Sequence, residues 1–178
     1  MKNKLLLDLL PIETERLIIK NTTIEDVDLL LKMDKQEETQ KYLGGIKNKT
    51  KEERINFLQK KVDKINNGIA SSLTVFLKDN NTPIAFTGLK INEEELSAEI
   101  SYIFDLDHTK KGYCTEVVNK LIDISFNNLK LNKVWADTIV GNNNSSKVLE
   151  KHNFIKTSER EENSIIFEIY ELKNKNLQ

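Results

Sequence analysis

The chain has 178 residues, 38% of them hydrophobic, and its 27 basic and 28 acidic side chains leave a formal net charge of −1. This length suits one domain with a buried core, so we expect a single domain over residues 1–178. The balanced charge provides no basic field that would attract nucleic acid or an anionic membrane, and neither is predicted as a partner.

Leucines cluster at positions 5, 6, 7, 9 and 10, but Asp8 interrupts them and no small-residue cleavage site follows. We therefore expect these leucines to pack on the domain or on a partner. The single cysteine excludes an internal disulfide and is typical of a reducing compartment. Together these features predict a cytoplasmic location.

The first part of the chain predicts one strand and two helices. A β-prone run at residues 15–21 forms the strand. Thr23 precedes apolar residues at helical spacing, with acids in the first turn, which predicts an N-capped amphipathic helix. Thr50 and Glu53 have capping-box spacing before a second helix, which is expected to end near Gly68.

The second part of the chain predicts a run of strands interrupted by two helices. The strands are expected at residues 72–78, 84–91, 98–106, 133–140, 154–158 and 165–172. One helix is expected after Gly112 and another, short helix at residues 145–152. Because a strand, a crossover helix and a following strand require a parallel pair, the sequence predicts a mixed α/β sheet that is otherwise antiparallel.

The polar loop before the first of these helices is a candidate anion site. A helix beginning after Gly112 directs unpaired N–H groups and the positive end of its dipole at whatever lies in front of it. Gly112 lets the backbone approach a phosphate, and Lys110 and Lys111 add positive charge, although both could be only solvated. The loop has neither a Walker A pattern nor three dinucleotide-binding glycines, so another phosphate ligand is expected.

Residues 109–116, Thr-Lys-Lys-Gly-Tyr-Cys-Thr-Glu, resemble the acyl-coenzyme A loop of the GNAT acetyltransferases, especially the subgroup containing ribosomal-protein N-terminal acetyltransferases. Thr109 and Cys114 depart from the pattern, which has Arg or Gln and a small residue there. Residues 13–17 and 140–154 resemble two further segments of that family, in the correct order and spacing. The resemblance implies an α/β (α+β) GNAT-like fold, with a mostly antiparallel sheet, a splayed parallel strand pair and helices on both faces.

The resemblance also implies that acetyl-coenzyme A is the cosubstrate and indicates which residues bind it. Backbone groups of one splayed strand and of the loop would make most contacts, and an asparagine and a serine would follow the other splayed strand. In this sequence the matching positions are Tyr102, Ile103, Phe104, Lys110, Lys111, Gly112, Tyr113, Cys114, Thr115, Asn142 and Ser145. Asn153 replaces a usual glycine, and asparagine can also adopt the left-handed conformation that ends a helix.

Acetyl transfer to an amine needs a base for the amine and a proton for the leaving thiolate. Glu99, on the strand leading to the implied cofactor site, is the candidate base acting through water; a solvent-facing strand residue is the alternative. Ser145 is the candidate acid or thiol-contacting group, because Leu149 stands where many family members have a tyrosine. The alternative for Ser145 is a helix N-cap.

The remaining reactive side chains are given structural roles. Cys114 could act as a nucleophile with His108 or His152, but its position matches a small residue facing the cofactor phosphates, and direct transfer needs no acyl-enzyme. His108 is expected in a loop and His152 at a helix end. Two scattered histidines and one cysteine lack metal-ligand spacing, so no metal site is predicted.

The sequence therefore predicts an acetyl-coenzyme A dependent N-acetyltransferase, acting as a monomer or a homodimer. By subgroup resemblance the acceptor is the N-terminal α-amine of a protein or peptide. One alternative is a small-molecule amine, such as a polyamine, an aminoglycoside or an amino acid derivative. Acidic residues in the first two helical regions leave the polyamine open: Glu37, Glu38, Glu52 and Glu53. Another alternative, favoured by Thr109 and Leu149, is a module that senses acyl-coenzyme A without turnover.

Overall fold

The computed structural model describes residues 1–70 and 72–175, and an eight-stranded sheet in the order β1-β2-β3-β4-β5-β6-β8-β7 lies at its centre. The strands are β1 (Ile12–Glu13), β2 (Leu17–Asn21), β3 (Leu73–Leu77), β4 (Pro83–Asn92), β5 (Ser97–Phe104), β6 (Lys133–Ile139), β7 (Ile155–Glu162) and β8 (Ile165–Lys173). The α-helices are α1 (Lys2–Asp8), α2 (Val27–Asp34), α3 (Glu37–Gln40), α4 (Lys51–Asn66), α5 (Tyr113–Asp123) and α6 (Asn143–Lys151).

Among the described strands, β5 and β6 form the one parallel pair, and α5 is the crossover between them. Every other neighbouring pair is antiparallel. This confirms the predicted mixed α/β class, because the loop and helix after β5 return the chain to the same end of the sheet before β6 begins.

One face of the sheet carries the main apolar core. Alternate residues of β5, such as Ala98 and Ile100, are buried together with Val117 and Leu121 of α5. Leu5, Leu6 and Leu7 lie in α1. Leu6 is fully buried in the same core, and Leu7, Leu9 and Leu10 pack against it, so the leucine cluster packs on the domain. The core therefore holds α5 firmly against the strand that precedes it.

The opposite face is covered over β3 and β4 by the region of α2 and α4. Thr74 of β3 donates a hydrogen bond to Asp26 across 2.8 Å, which seats the turn before α2 on this face. Helix α4 begins where the capping box predicted it. Glu53 N donates to Thr50 Oγ1 across 3.1 Å, and Thr50 N donates to Glu53 Oε2 across 2.8 Å.

Helix ends follow the local chemistry of the sequence. Asn153 lies just after α6 with φ of 62°, which confirms that asparagine supplies the left-handed position there. Gly68 follows α4 with φ of 79°. Among the described helices, none combines the length and the apolar composition that crossing a membrane requires.

Candidate active site

A cleft opens where β5 and β6 part. The two strands are paired only at Ser97–Lys133, Ala98–Val134 and Glu99–Trp135. Beyond that point β5 remains bonded to β4 and β6 remains bonded to β8, so each strand follows a different neighbour. The resulting cleft has a volume of about 290 Å³, and its walls include residues 100–103 of β5 and 136–139 of β6.

Four of the residues predicted to hold the cosubstrate line this cleft. Tyr102 and Ile103 line one wall, and Asn142 and Ser145 line the cleft beside β6. Phe104 differs, because its side chain is buried in the core at 9% exposure. Segments 40 residues apart in sequence are therefore brought together by the departure of β6 from β5.

The predicted anion site is the first turn of α5. Gly112 precedes this helix with φ of 83°, and no side chain caps the amides that follow it. Lys110 and Lys111 are exposed beside these amides, and Lys111 Nζ donates to the carbonyl oxygen of Asp107 across 2.7 Å. Free amides, a helix dipole and nearby lysines suit the phosphates of a coenzyme A molecule.

Cys114 lies in the first turn of α5, at the candidate anion site. Its side chain packs against the core, and burial raises the pKa of its thiol to about 12. His108 Nδ1 lies 3.0 Å from Asp105, and His152 lies between the carbonyl oxygens of Val148 and Thr115. A neutral thiol whose candidate partners are engaged elsewhere disfavours the nucleophile alternative.

Asn142, rather than Ser145, caps α6. Ser145 N donates to Asn142 Oδ1 across 3.4 Å, and the helix already begins at Asn143. The alternative that Ser145 is an N-cap is therefore wrong, because the asparagine side chain reaches the amide three residues further on. The hydroxyl of Ser145 is left to face the cleft.

Tyr102, which the resemblance gave only as a cosubstrate-binding position, is also a candidate catalytic side chain. Its hydroxyl lies 3.1 Å from Ser145 Oγ, on the wall of the cleft. Burial raises the pKa of Tyr102 well above its ordinary value, so the phenol remains protonated. The two residues are 43 positions apart, and no local pattern connects them.

Glu99 lies at the last paired position of β5 and β6, where the cleft begins. It lines a second cavity of about 490 Å³ together with Trp135. Its side chain is 25% exposed, and Lys90 Nζ lies 3.6 Å from its carboxylate. Glu99 is thus a half-buried wall of a cavity, which favours the predicted role over a freely solvated strand residue.

The charges around this second cavity are balanced. Three acids, Glu95, Glu99 and Glu171, and three bases, Lys90, Lys133 and Arg160, line it. Lys133 and Glu171 form an ion pair at 2.7 Å. Of the helix acids considered from the sequence, Glu38 lines the cleft, whereas Glu53 is used in the cap of α4.

A buried carboxylate fastens the start of the loop to the neighbouring helices. Asp105 accepts hydrogen bonds from Lys32 Nζ at 2.6 Å and from Gln36 Nε2 at 2.5 Å, and His108 Nδ1 lies 3.0 Å away. Burial alone would raise the pKa of Asp105, but these partners outweigh it and hold the pKa below its ordinary value. Asp105, where the loop begins, is therefore held in place by Lys32 and Gln36.

A second carboxylate, Glu116, fastens the end of the loop. Its Oε1 accepts hydrogen bonds from Thr14 Oγ1 at 2.5 Å and from Arg16 N at 2.8 Å. Its Oε2 accepts one from Arg16 Nε at 2.7 Å. Burial would raise the pKa of Glu116, but the hydrogen bonds from Thr14 and Arg16 outweigh it and keep the pKa below its ordinary value. Neither cluster was foreseen from the sequence.

Comparison with known proteins assigns this architecture. Residues 16–155 match the family model described as an acetyltransferase (GNAT) domain. The uncharacterized N-acetyltransferase p20 of Bacillus licheniformis is 31% identical over 144 residues, which cover 80% of this chain and 81% of that protein. The residues matched by the family model include both splayed strands and the loop before α5.

Solved structures with different acceptors share the fold. The spermidine N-acetyltransferase from Vibrio cholerae, in complex with CoA and spermine, superposes with a TM-score of 0.75 at 18% identity, covering 93% of this chain and 100% of that chain. The ribosomal-protein-S5-alanine acetyltransferase from Vibrio fischeri superposes with a TM-score of 0.71 at 18% identity, covering 94% and 98%. At this identity the likeness concerns the fold and leaves the acceptor open.

Proposed function

Because the chain belongs to the GNAT acetyltransferase family, we propose that it transfers an acetyl group from acetyl-coenzyme A directly to the N-terminal α-amine of a protein or peptide. The observation that carries this proposal is the cleft between β5 and β6. The cleft is lined by Tyr102, Asn142 and Ser145, and it begins beyond the last strand pair, where Glu99 lies. We propose that the donor occupies this cleft and that the acceptor amine approaches from the cavity that Glu99 lines.

Phosphate binding is assigned to the first turn of α5. The backbone amides of Tyr113, Cys114 and Thr115, with Lys110 and Lys111 beside them, would hold the pyrophosphate. Gly112 allows the close approach because a side chain there would occupy the space in front of the helix. The Cys114 contribution is its backbone amide, since its side chain packs inward.

The narrow arm of the coenzyme is assigned to the cleft itself. The backbone of Tyr102, Ile103 and Phe104 lies on the edge of β5 that β6 has left, so its polar groups can pair with amides of the arm. Asn142 and Ser145 lie opposite. When bound there, acetyl-coenzyme A supplies an acetyl thioester with a thiol leaving group.

Two groups of this chain are assigned to move protons. Glu99 would take the proton that the amine loses, through a water molecule in the cavity that it lines. The protonated Tyr102, with Ser145 at 3.1 Å, would deliver a proton to the departing sulfur. The carbon–nitrogen bond forms as the carbon–sulfur bond breaks. The amine nitrogen loses one proton and the leaving sulfur gains one, so the number of protons is unchanged.

The acceptor is inferred from charge. A polyamine carries several positive charges, and the balanced acids and bases around the Glu99 cavity give it no net attraction. An α-amine carries one charge and has a pKa of about 8, so a single carboxylate can make it nucleophilic near neutral pH. These features support the N-terminal α-amine over the polyamine alternative.

The test is release of free thiol from acetyl-coenzyme A with a panel of amines. Peptides that begin with alanine or serine are expected to support release, whereas spermidine and an aminoglycoside are expected to support little. Peptides acetylated at the N-terminus serve as controls. Faster release with spermidine than with every peptide would overturn the acceptor assignment, and no release with any amine would overturn the proposed activity.

The location and assembly are proposed on narrower grounds. A cytoplasmic protein is consistent with its single cysteine, whose thiol is half-buried and free. We keep a monomer or a homodimer as the expected assembly, to be measured by light scattering at several protein concentrations.

A further inference from the structure

We propose that Arg16 is a positioning residue for coenzyme A binding, because it holds the end of the loop and the first turn of α5 in the orientation that presents their amides. This inference rests on the proposed function and deepens it. Arg16 lies between β1 and β2, about 100 positions from the helix that it contacts.

The Arg16 side chain contacts both the loop before α5 and the first turn of α5. Arg16 Nη1 donates to the carbonyl oxygen of Lys111 across 3.0 Å, while Nε donates to Glu116 Oε2 across 2.7 Å. Nη2 lies 2.7 Å from the same carboxylate oxygen, and the guanidinium stacks over the Tyr113 ring with its carbon 4.6 Å from the centroid. The residues just before and within the first turn are thus fixed by one planar group.

The guanidinium also lies against the glycine that precedes the helix. A Cβ added to Gly112 would be 3.3 Å from Arg16 Nη2, so the two groups are in close contact. Within the described part of the chain, the other hydrogen bonds of residues 109–111 run to Leu106 and Asp107, inside the loop itself. Arg16 is therefore the contact that fixes this exposed turn from outside.

Arg16 has an electrostatic role as well. Glu116 places a negative charge in the first turn of α5, which favours the helix but opposes an incoming phosphate. The guanidinium offsets that charge at 2.7 Å. A lysine could offset the charge, but it lacks the planar fork that reaches both Glu116 and the Lys111 carbonyl oxygen.

The experiment compares two acetyl donors, acetyl-coenzyme A and S-acetylpantetheine, which lacks the phosphates. Arg16→Gln is expected to raise the KM for acetyl-coenzyme A by about tenfold, the effect of one lost charge-assisted contact, with kcat little changed. The kcat/KM for S-acetylpantetheine is expected to stay at the wild-type value. Arg16→Lys should show a smaller rise in KM.

Two further variants separate the possible roles. Glu116→Gln is expected to raise the KM for acetyl-coenzyme A as well, because it removes the carboxylate that pairs with Arg16. An unchanged or lower KM in this variant would overturn the positioning role and would indicate direct contact between Arg16 and phosphate. Lys156→Gln breaks the ion pairs with Glu159 and Glu168 on β7 and β8 and controls for the loss of ion pairs elsewhere in the sheet. Equal losses with both donors in Arg16→Gln, or no change in KM, would also overturn the proposal.

Calorimetric titration with coenzyme A and with pantetheine provides a readout that needs no turnover. Arg16→Gln is expected to weaken coenzyme A binding by about the same tenfold factor and to leave pantetheine binding unchanged. Wild-type protein that binds coenzyme A but acetylates no amine would contradict the proposed function while leaving the role of Arg16 supported by this titration.

Discussion

Glu99 lies at the last paired position of β5 and β6 and lines the second cavity, and its carboxylate is expected to act as the base. Glu99→Gln keeps the size of the side chain but removes the basic oxygen, so kcat at pH 7 should fall about 100-fold, the lower end of the range for general-base catalysis. The loss should shrink at pH 9, where an α-amine of pKa about 8 is largely deprotonated without help. Thiol release at both pH values measures this.

The matched control for this prediction is Glu95→Gln, which alters another carboxylate of the same cavity. Glu95 is not at the point where β5 and β6 part, so its variant should retain a kcat close to that of the wild type. Full activity in Glu99→Gln would show that Glu99 is merely a wall of the cavity.

Tyr102 provides a second test at the scale of a single atom. Tyr102→Phe keeps the ring against the core and removes the hydroxyl that lies 3.1 Å from Ser145 Oγ. Because the proton for the departing sulfur is lost, kcat should fall at least about tenfold, and the KM for acetyl-coenzyme A should change little. Steady-state thiol release separates the two constants.

Tyr170→Phe serves as the control for Tyr102, because Tyr170 is a buried tyrosine of β8 whose hydroxyl lies 3.3 Å from Glu168 instead of in the cleft. It should keep its activity. If Tyr102→Phe matches the wild type in kcat, proton delivery must be assigned to Ser145 or to solvent.

At the scale of elements, the loop before α5 is anchored through Asp105. Its side chain is 2% exposed and accepts hydrogen bonds from Lys32 and Gln36. Asp105→Asn should lower the free energy of unfolding at pH 7 by about 2 kcal/mol, the usual contribution of hydrogen bonds to a charged group. Urea denaturation followed by circular dichroism measures the difference.

The pH dependence of that difference has a definite sign. The pKa of Asp105 is lowered in the folded protein, so its stabilising contribution is present above the unfolded pKa of about 3.9 and is lost as the pH falls through the folded pKa. The gap between wild type and Asp105→Asn should therefore narrow below pH 4. Asp107→Asn, whose side chain is 67% exposed, should change stability little at either pH, and a gap that widens in acid would contradict the assignment.

The same elements show what local patterns can and cannot predict. The parallel pair followed from the crossover between β5 and β6, and the start of α4 followed from Thr50 and Glu53, because each depends on neighbouring residues. The two-residue β1 and the four-residue α3 were missed, since neither is long enough to show a periodic pattern. The leucines of positions 5–10 were expected to pack on the domain or a partner, but their helix was not predicted.

The candidate site was predictable to the same extent. Gly112 was identified from the chemistry of its loop and Asn142 from the family resemblance, because each belongs to a continuous segment of the sequence. The contacts between Tyr102 and Ser145 and between Arg16 and Glu116 were not, because the sheet brings together residues 43 and 100 positions apart. Arg16 and Glu116 lay in two segments that resembled the same family, yet resemblance gave no indication that they touch.

For the whole molecule, the site is assembled from distant parts of the chain that a bound ligand would tie together. The turn between β1 and β2 holds one end of the loop through Arg16, and α2 holds the other through Lys32. The cleft itself lies between β5 and β6. A ligand that spans the loop and the cleft must favour the folded state over the unfolded chain, because the unfolded chain presents no such surface.

Coenzyme A should therefore raise the melting temperature of the wild-type protein. At a concentration 100 times its Kd, a ligand that binds only the folded state adds about 2.7 kcal/mol, which corresponds to a rise of roughly 5–10 °C for a protein of this size. Gly112→Ala should lose most of this rise, because its φ of 83° disfavours a side chain and the added Cβ would lie 3.3 Å from Arg16 Nη2. Differential scanning calorimetry with coenzyme A and with pantetheine measures both effects. If coenzyme A raised the melting temperature equally in wild type and Gly112→Ala, the phosphates would bind elsewhere. A ligand that does not contact the first turn of α5 would bind equally well whatever residue stands at position 112.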